Sequence, residues 1–309
     1  MKVSVVIPAF NAERFLAGTL RSVLDQSFTD LEVLVVDDGS SDGTAAVADS
    51  FAPAVRVLSG PRRGVSAARN EGVRRASGTY VAFMDHDDLW EKDKVRRQVA
   101  CLDAEPRAAF VFTQARVEQD GRLLEIFPQI ADPAALLANA YENLVHWNYV
   151  PMSSVMARRQ RLQTLSAEGP FDPRFRLSED WDLWLRLARA AGRGGVAFLP
   201  EPLTRYLIVP GRATERMADL RLEDLAIFEE QLASDPALQR GDPARCRATR
   251  HRLSLEAGYF LWKEGRPAEA RRCLARAWRA RPTSVKPLKY WMASLLGLGH
   301  TPASMVGGK

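Results

Sequence analysis

The stretch of sequence that decides the fold is Val81-Ala82-Phe83-Met84-Asp85-His86-Asp87-Asp88-Leu89-Trp90. Its four leading apolar residues are typical of a buried β-strand, and three carboxylates follow within the next four positions. Like charges this close repel one another and raise each other's pKa unless a cation neutralises them. Carboxylate oxygens suit Mg²⁺ or Mn²⁺ bound together with substrate phosphates, so the stretch predicts a strand that ends in a cation site. The alternative, capping of a helix by Asp87 or Asp88, accounts for one acid rather than three.

Outward from this stretch, short apolar strands alternate with amphipathic helices. Strands are predicted at residues 3–7, 31–36, 55–58 and 80–84, and helices at residues 11–24, 42–51 and 64–76. Continuous apolar strands joined by helical crossovers indicate a parallel sheet covered on both faces, whose ligands lie at the carboxyl ends of the strands. Further along, the pattern predicts a helix at 91–102, a strand at 108–113, a helix at 181–191 and extended chain at 198–208, and it is weak over 129–157.

A second pair of carboxylates, Asp37 and Asp38, ends the second predicted strand. A turn with a helix cap at Ser41 or Asp42 is the simpler explanation of that stretch taken alone. The basic turn at residues 62–70 enters a helix, where free amides and guanidinium groups could receive a phosphate or a base edge. Neither a Walker loop nor a GxGxxG motif follows the first strand, which argues against a P-loop NTPase and an NAD enzyme.

Composition excludes several classes of protein. The 309 residues are 46% hydrophobic and 26% charged, an ordinary globular balance that argues against disordered and fibrous chains. The amino terminus reaches Glu13 before any apolar run is long enough for a signal peptide, and no uncharged stretch is typical of a transmembrane helix. Three widely spaced cysteines without CxxC spacing encode neither a disulfide framework nor a zinc site, so we expect a cytoplasmic protein.

Positive charge is concentrated near the carboxyl terminus. Residues 240–289 hold 14 lysines and arginines against four acidic residues, whereas the net formal charge of the whole chain is +5. Such a block could face nucleic acid, anionic lipid or a negatively charged substrate. The aromatic pattern of a nucleic-acid reader is not evident, so we expect no nucleic-acid partner.

Five ordered blocks together resemble the inverting glycosyltransferase family 2, which has the GT-A fold. The blocks are residues 5–11, residues 35–44, Gly64 with residues 67–70, Gly78 with residues 83–90, and residues 178–186. They cover roughly residues 1–208. The fold that this resemblance implies is of the α/β class, a Rossmann-like mixed sheet flanked by helices, with an α-helical appendage at the carboxyl end.

The resemblance also implies roles for individual residues. The nucleoside pocket and the neighbouring nucleotide-sugar contacts are expected from Pro8, Ala9, Phe10, Asp37, Asp38, Arg69, Asp85, His86 and Asp87. Asp87 and Asp88 are expected to hold Mn²⁺ or Mg²⁺, and Asp180, paired with Glu179, matches the catalytic base. His86 departs from the family, which more usually has a small residue there. Taken without the other blocks, Glu179 and Asp180 would be acids placed favourably at a helix amino terminus.

The implied reaction moves a sugar from a nucleotide-sugar donor, with a UDP-sugar favoured, to a hydroxyl of a glycan or lipid-linked acceptor. A sugar-phosphate nucleotidyltransferase is a competing hypothesis, but it would need a glycine-rich, lysine-containing loop after the first strand. A noncatalytic nucleotide-sugar-binding or scaffold protein is another. The joint presence of Asp38, Asp85, Asp87 and Asp180 argues against it.

The sequence divides into a catalytic domain at residues 1–210 and a helical extension at residues 211–309. Within the extension, small residues and prolines are spaced as in a single tetratricopeptide-type hairpin, with helices at 255–264 and 267–280. One interpretation is that the hairpin packs on the catalytic domain or on a second copy in a homo-oligomer. The other is peripheral contact with the anionic inner face of a membrane, through Arg271, Arg272, Arg276, Arg279, Arg281, Lys286 and Lys289 with Trp278, Trp291 and Leu295.

Overall fold

The computed structural model describes residues 1–60, 62–209 and 216–295. The chain divides into two compact units, Met1–Pro210 and Gly211–Lys309. The first unit contains the sheet and the second is helical.

Nine strands within the described residues form one mixed sheet. They are β1 (Val3–Ala9), β2 (Leu31–Asp37), β3 (Val55–Ser59), β4 (Tyr80–Phe83), β5 (Leu89–Trp90), β6 (Phe110–Gln119), β7 (Arg122–Phe127), β8 (Met156–Arg158) and β9 (Val196–Leu207). Their order is β3-β2-β1-β4-β8-β6-β9-β5, with β7 paired to β6. The first four strands are parallel, as their apolar runs predict. β8 then runs antiparallel to both β4 and β6, so the sheet is mixed, as the resemblance implies.

Eight α-helices and one short 3-10 helix, Met152–Ser154, are described in the first unit. The α-helices are α1 (Leu16–Leu24), α2 (Thr44–Asp49), α3 (Val65–Arg75), α4 (Lys94–Ala104), α5 (Pro133–Ala138), α6 (Ala140–His146), α7 (Arg159–Gln163) and α8 (Glu179–Ala191). α1, α2 and α3 connect successive parallel strands, as predicted. α8 begins two residues earlier than its apolar pattern predicts, which places Glu179 and Asp180 in its first turn.

Two close contacts fix the helices that carry the charged residues. Helix α3 approaches β1 at Gly72, where a Cβ atom would lie 2.3 Å from Cγ1 of Val6. Helix α8 packs on the sheet through Trp184, which is fully buried and whose ring centroid lies 5.4 Å from that of Phe110. Both helices are therefore held against the sheet, and the amino-terminal half of α3 and the first turn of α8 contribute to the same site.

The second unit confirms the predicted helical extension. Its helices are α9 (Met217–Ser234), α10 (Pro236–Gly241), α11 (Pro243–Lys263), α12 (Pro267–Ala280) and α13 (Lys286–Leu295). α11 and α12 form a hairpin in which Gly258 faces Leu274, and a Cβ at Gly258 would lie 2.7 Å from the Leu274 Cγ atom. α11 begins twelve residues before the predicted helix at 255, because Asp242 caps it and Pro243 occupies its first turn. Within the described residues, no helix has both the length and the apolar character needed to cross a bilayer.

Candidate active site

The site lies where β1, β2 and β4 end. These strands are parallel neighbours, with Ala9 beside Asp37 and Val6 beside Phe83, so their carboxyl ends share one edge of the sheet. The backbone N–H of Asp38 donates to the carbonyl of Ala9 at 2.8 Å. The predicted residues at the ends of β1 and β2 are therefore adjacent.

Asp38 organises the predicted nucleoside side. Its buried carboxylate accepts from the backbone N–H of Gly64 at 2.8 Å and from that of Arg63 at 3.3 Å. Gly64 has φ +91°, a conformation that favours glycine, and it leads directly into α3. The basic turn before α3 is thus tied to the end of β2. Phe10 is 56% exposed at the same edge, which leaves its ring accessible.

Arg69 lies at the centre of the site and is only 4% exposed. Its Nη2 atom lies 2.6 Å from Oδ1 of Asp85, and its Nη1 atom forms an ion pair with Oε1 of Glu179. Burial opposes the positive charge, but Asp85 and Glu179 outweigh it and raise the pKa of Arg69. The arginine therefore joins the end of β4 to the start of α8. Its contact with a nucleotide stays a prediction.

The three aspartates after β4 differ in environment. Asp85 and Asp87 are half-buried, whereas Asp88 is 1% exposed. Oδ1 of Asp88 accepts from the backbone N–H of Leu207 in β9 at 3.1 Å. Burial, and then the charges of Asp87 and Asp85, raise the pKa of Asp88 well above its ordinary value.

His86 turns toward β1, with Nδ1 3.3 Å from the carbonyl oxygen of Pro8. The ring therefore links the first and fourth strand ends.

Asp180 and Glu179 occupy the first turn of α8 in different surroundings. Glu179 is buried against Arg69, while Asp180 is partly exposed and its Oδ1 accepts from the backbone N–H of Trp181 at 2.6 Å. Burial and the neighbouring Glu179 carboxylate raise the pKa of Asp180 to about 8, although Arg69 acts in the opposite direction. With such a pKa, Asp180 carries its proton at neutral pH and can accept another group's proton only in its ionised form, whose fraction grows as the pH approaches 8.

Two residues that the sequence did not point to hold the turn at residues 85–88, the acidic turn, in place. The hydroxyl of Ser153 accepts from the backbone N–H of Asp85 at 3.0 Å, and the carbonyl of Ser153 accepts from the indole N–H of Trp90 at 2.8 Å. The hydroxyl of Thr19 lies 2.8 Å from the carbonyl of His86 and 2.9 Å from that of Asp88. Thr19 had a weak signal, because it is a polar residue on the apolar face of α1 between Leu16 and Leu20.

Comparison with known sequences identifies a family. The family model described as Glycosyl transferase family 2 matches residues 4–160. The putative teichuronic acid biosynthesis glycosyltransferase TuaG of Bacillus subtilis (strain 168) is 33% identical over 213 residues, which are 67% of this chain and 79% of that protein. The amylovoran biosynthesis glycosyltransferase AmsB of Erwinia amylovora is 30% identical over 219 residues, 67% of this chain and 69% of that protein.

Solved structures confirm the predicted GT-A fold. S. aureus TarS 1-349 in complex with UDP-GlcNAc has a TM-score of 0.59 and 16% identity, and the match covers 96% of this chain and 93% of that one. The mannosyltransferase PcManGT from Pyrobaculum calidifontis, in complex with GDP-Man and Mn²⁺, has a TM-score of 0.61 and 20% identity, with 96% and 80% covered.

The raised pKa predicts that Asp180→Asn stabilises the folded chain at neutral pH. The folded state keeps a proton on Asp180 up to about pH 8, whereas the unfolded carboxyl, with its ordinary pKa of 3.8, has already released it. Unfolding of the wild type therefore releases a proton in this window, and its stability falls as the pH rises. We expect the melting temperature of Asp180→Asn, relative to wild type, to increase progressively from about pH 5 to about pH 8 in scanning calorimetry.

Asp120→Asn is the matched control. Asp120 is exposed in the turn between β6 and β7, and its φ of 49° suits asparagine as well as aspartate. Its difference from wild type should stay constant over the same pH range. A constant difference for Asp180→Asn as well would show that the folded state does not hold the extra proton on Asp180.

Proposed function

The chain belongs to glycosyl transferase family 2, and from this membership we propose that it transfers a sugar, with inversion, from a nucleoside diphosphate sugar to a hydroxyl of a growing cell-surface glycan. The observation that carries the proposal is the junction that Arg69 makes between Asp85 and Glu179, because it brings the donor side and the base side of the site together. The names of TuaG and AmsB, which refer to teichuronic acid and amylovoran biosynthesis, support a polysaccharide product.

In this proposal the donor nucleoside binds at the ends of β1 and β2. A carboxylate offers about four acceptor positions, so Asp38 can receive a base N–H in addition to its two backbone donors. Uracil has such an N–H group, and guanine has one as well, so this contact fits either base. UDP-GlcNAc is the ligand in the TarS complex, which supports a UDP-sugar as the donor, whereas PcManGT is in complex with GDP-Man.

Asp87 and Asp88 are the residues that would hold a divalent cation together with the donor diphosphate. All three acids after β4 offer oxygen ligands, and Oδ2 of Asp88 is buried without a hydrogen-bond partner among the described residues. Mg²⁺ is usually bound by one or two carboxylates plus substrate phosphates, so a protein cage is not required. The described residues contain no group of three metal-ligating side chains that forms such a cage. A bound cation would stabilise the negative charge that develops on the departing diphosphate.

Asp180 is the proposed general base. The acceptor hydroxyl must lose its proton as its oxygen attacks the anomeric carbon, and a carboxylate beside that oxygen can accept the proton. Glu179 is already engaged by Arg69, whereas Asp180 is partly exposed beside it. Glu179 is therefore assigned to positioning the first turn of α8, and displacement on the face opposite the leaving group inverts the anomeric centre.

The division of roles predicts different effects for the two acids. Asp180→Asn should lower the rate of sugar transfer by about 10²-fold or more, the scale of losing a positioned general base, while UDP affinity stays near wild type. Steady-state kinetics with isothermal titration calorimetry measure both quantities.

Glu179→Gln serves as the paired variant. Removing one charge from a buried ion pair leaves Arg69 incompletely compensated, so this variant should have a lower melting temperature but a smaller loss of rate. If Glu179→Gln lost transfer while Asp180→Asn kept the wild-type rate, the base would be Glu179.

The proposed cation site makes a prediction about how Mn²⁺ changes the affinity for UDP. Asp87→Asn should abolish the gain in UDP affinity that Mn²⁺ provides while the fold stays intact, because the proposed role of this half-buried side chain is to hold the cation. Titration calorimetry with and without Mn²⁺ measures this, and Asp120→Asn is again the control. Equal Mn²⁺-dependent gains in wild type and Asp87→Asn would rule out Asp87 as a ligand.

We also propose that the second unit contacts an anionic membrane surface. Four apolar residues are each between 45% and 76% exposed: Val285, directly before α13, and Leu288, Met292 and Leu295 within it. Their spacing of three, four and three residues matches one side of a helix. Lys286 and Lys289 are exposed on the same helix. An apolar stripe beside lysines is typical of a helix that lies in a membrane interface.

This surface predicts salt-sensitive binding to lipid. Sedimentation with vesicles of phosphatidylglycerol and phosphatidylcholine should retain the protein at low salt and release it at high salt, because charges are screened over about 8 Å at physiological ionic strength. Replacing Lys286 and Lys289 by glutamine should weaken partitioning roughly thirty-fold, from about 1 kcal/mol for each basic side chain. The same replacements at the exposed Lys92 and Arg122 are the control. Equal binding to neutral vesicles, or none, would favour packing on another protein surface.

A further inference from the structure

A second concave site lies beyond β7. It is an open depression of about 310 Å³, at the lower end of the size range of small-molecule sites. Residues 129–132, the helices α5 and α6, and Trp147 line it. None of the residues assigned above to the donor, the cation or the proton transfer lines this pocket.

Trp147 forms an exposed aromatic wall of the pocket. It is 43% exposed, although tryptophan is generally well buried. Its ring meets Phe127 edge-to-face at 5.8 Å, and it lies 5.8 Å from the ring of the fully buried Tyr149. The indole is therefore supported from behind by two rings while part of its surface faces solvent. The electron-rich face of an indole attracts the weakly positive C–H groups of a ligand.

The other walls provide hydrogen-bonding groups and little charge. Asn143 and Gln129 each carry a carboxamide, which both donates and accepts, and Asp132 is the one charged residue among those that line the pocket. The side-chain amide of Asn143 donates to the carbonyl of Leu136 at 2.9 Å, so α5 fixes its orientation. Such a lining suits a neutral ligand that is rich in hydroxyl groups and has one apolar face, and it disfavours a phosphorylated one.

The pocket is linked to the proposed base and is separate from the donor strands. The indole N–H of Trp181, next to Asp180, donates to the carbonyl of Leu144, next to Asn143, at 2.8 Å. In contrast, four strand spacings of about 4.8 Å separate β1 from β7 along the sheet. The segment that lines the pocket is therefore anchored to the first turn of α8, on the part of the sheet away from the strands that carry the predicted nucleoside residues.

We propose that this pocket is an acceptor subsite, in which Trp147 stacks on the apolar face of a neutral pyranose ring and Asn143, Gln129 and Asp132 bind its hydroxyl groups. The inference rests on the proposed transfer to a glycan and names the part of the acceptor that the chain recognises. Hydroxyl groups of a sugar ring both donate and accept hydrogen bonds, which matches the carboxamides. The pyranose C–H groups match the indole face.

Direct binding of sugars tests the subsite without requiring transfer. Saturation-transfer-difference NMR would use the methyl glycosides of glucose, galactose and N-acetylglucosamine, with UDP and Mn²⁺ present. We expect at least one glycoside to receive saturation at its ring C–H protons in wild type. Trp147→Ala should weaken that binding by about tenfold or more, whereas Trp147→Phe should keep most of it, since tryptophan anchors commonly dominate binding at such sites.

Leu123→Ala is the matched control, because Leu123 is 54% exposed on β7 and does not line the pocket. If Trp147→Ala fails to fold, Gln129→Ala carries the test and should show weaker binding than wild type, while Trp147→Phe should keep most of the binding. UDP affinity should be the same in wild type and in every variant. If wild type does not bind UDP at all, the proposed donor is wrong, whereas the test of the sugar subsite still stands. Wild-type affinity in Trp147→Ala, no signal from any glycoside, or a Trp147-dependent signal from uridine instead would overturn the proposal.

Discussion

The buried guanidinium of Arg69 holds together parts of the chain that are far apart in sequence. Asp85 ends β4, and Glu179 begins α8 ninety-four positions later, yet both carboxylates meet on this one cation. Without it, two acids would lie close together in a poorly hydrated space, and removing one partner of such an arrangement typically costs about 3–5 kcal/mol. The position of the acidic turn and that of the first turn of α8 therefore depend on the same side chain.

This arrangement explains why Asp180 differs from its neighbours. Arg69 is already shared between Asp85 and Glu179, so it compensates Asp180 only in part, and burial with the Glu179 charge raises the pKa of Asp180. At neutral pH the folded chain therefore holds Asp180 as a neutral acid, although the same carboxyl would be ionised in water, and this difference lowers the stability of the fold. Stability given up at one residue in this way is common where a side chain must exchange a proton with a substrate.

The sequence predicts the sheet edge well because the information there is local. Asp37 and Asp38 follow one apolar run of four or more residues, and Asp85 follows another. The change from apolar to acidic residues marks the carboxyl end of each strand. The middle segment is different: α5 and α6 have six and seven residues, which is less than two complete turns each, so no periodicity develops. Ser153 and the pocket at Trp147 lie in this part of the chain and could not be predicted.

Long-range contacts set a second limit on prediction. From the sequence, Asp87 and Asp88 are equally good candidates for cation ligands. In the structure Asp88 is buried and accepts a hydrogen bond from Leu207, which is 119 positions away. The sequence presents Arg69 as part of a basic turn that could receive a phosphate or a base edge, but in the structure Arg69 pairs with Glu179, which is 110 positions away. Neither the contact of Asp88 with Leu207 nor that of Arg69 with Glu179 can be predicted from the spacing of nearby residues, because each depends on the order of strands in the sheet.

Several polar atoms of this site are buried without a hydrogen-bond partner among the described residues. Within the described residues, Nε of Arg69, Oδ2 of Asp88 and Oε2 of Glu179 are all buried without a hydrogen bond. Each such atom typically costs about 1–3 kcal/mol, and native proteins keep few of them. Two of the three belong to the ion pair of Arg69 and Glu179, and the third belongs to the acidic turn after β4. Under the proposed function, a bound donor and its cation would lie beside these atoms, so the atoms that lower the stability of the folded chain would also contact the ligand.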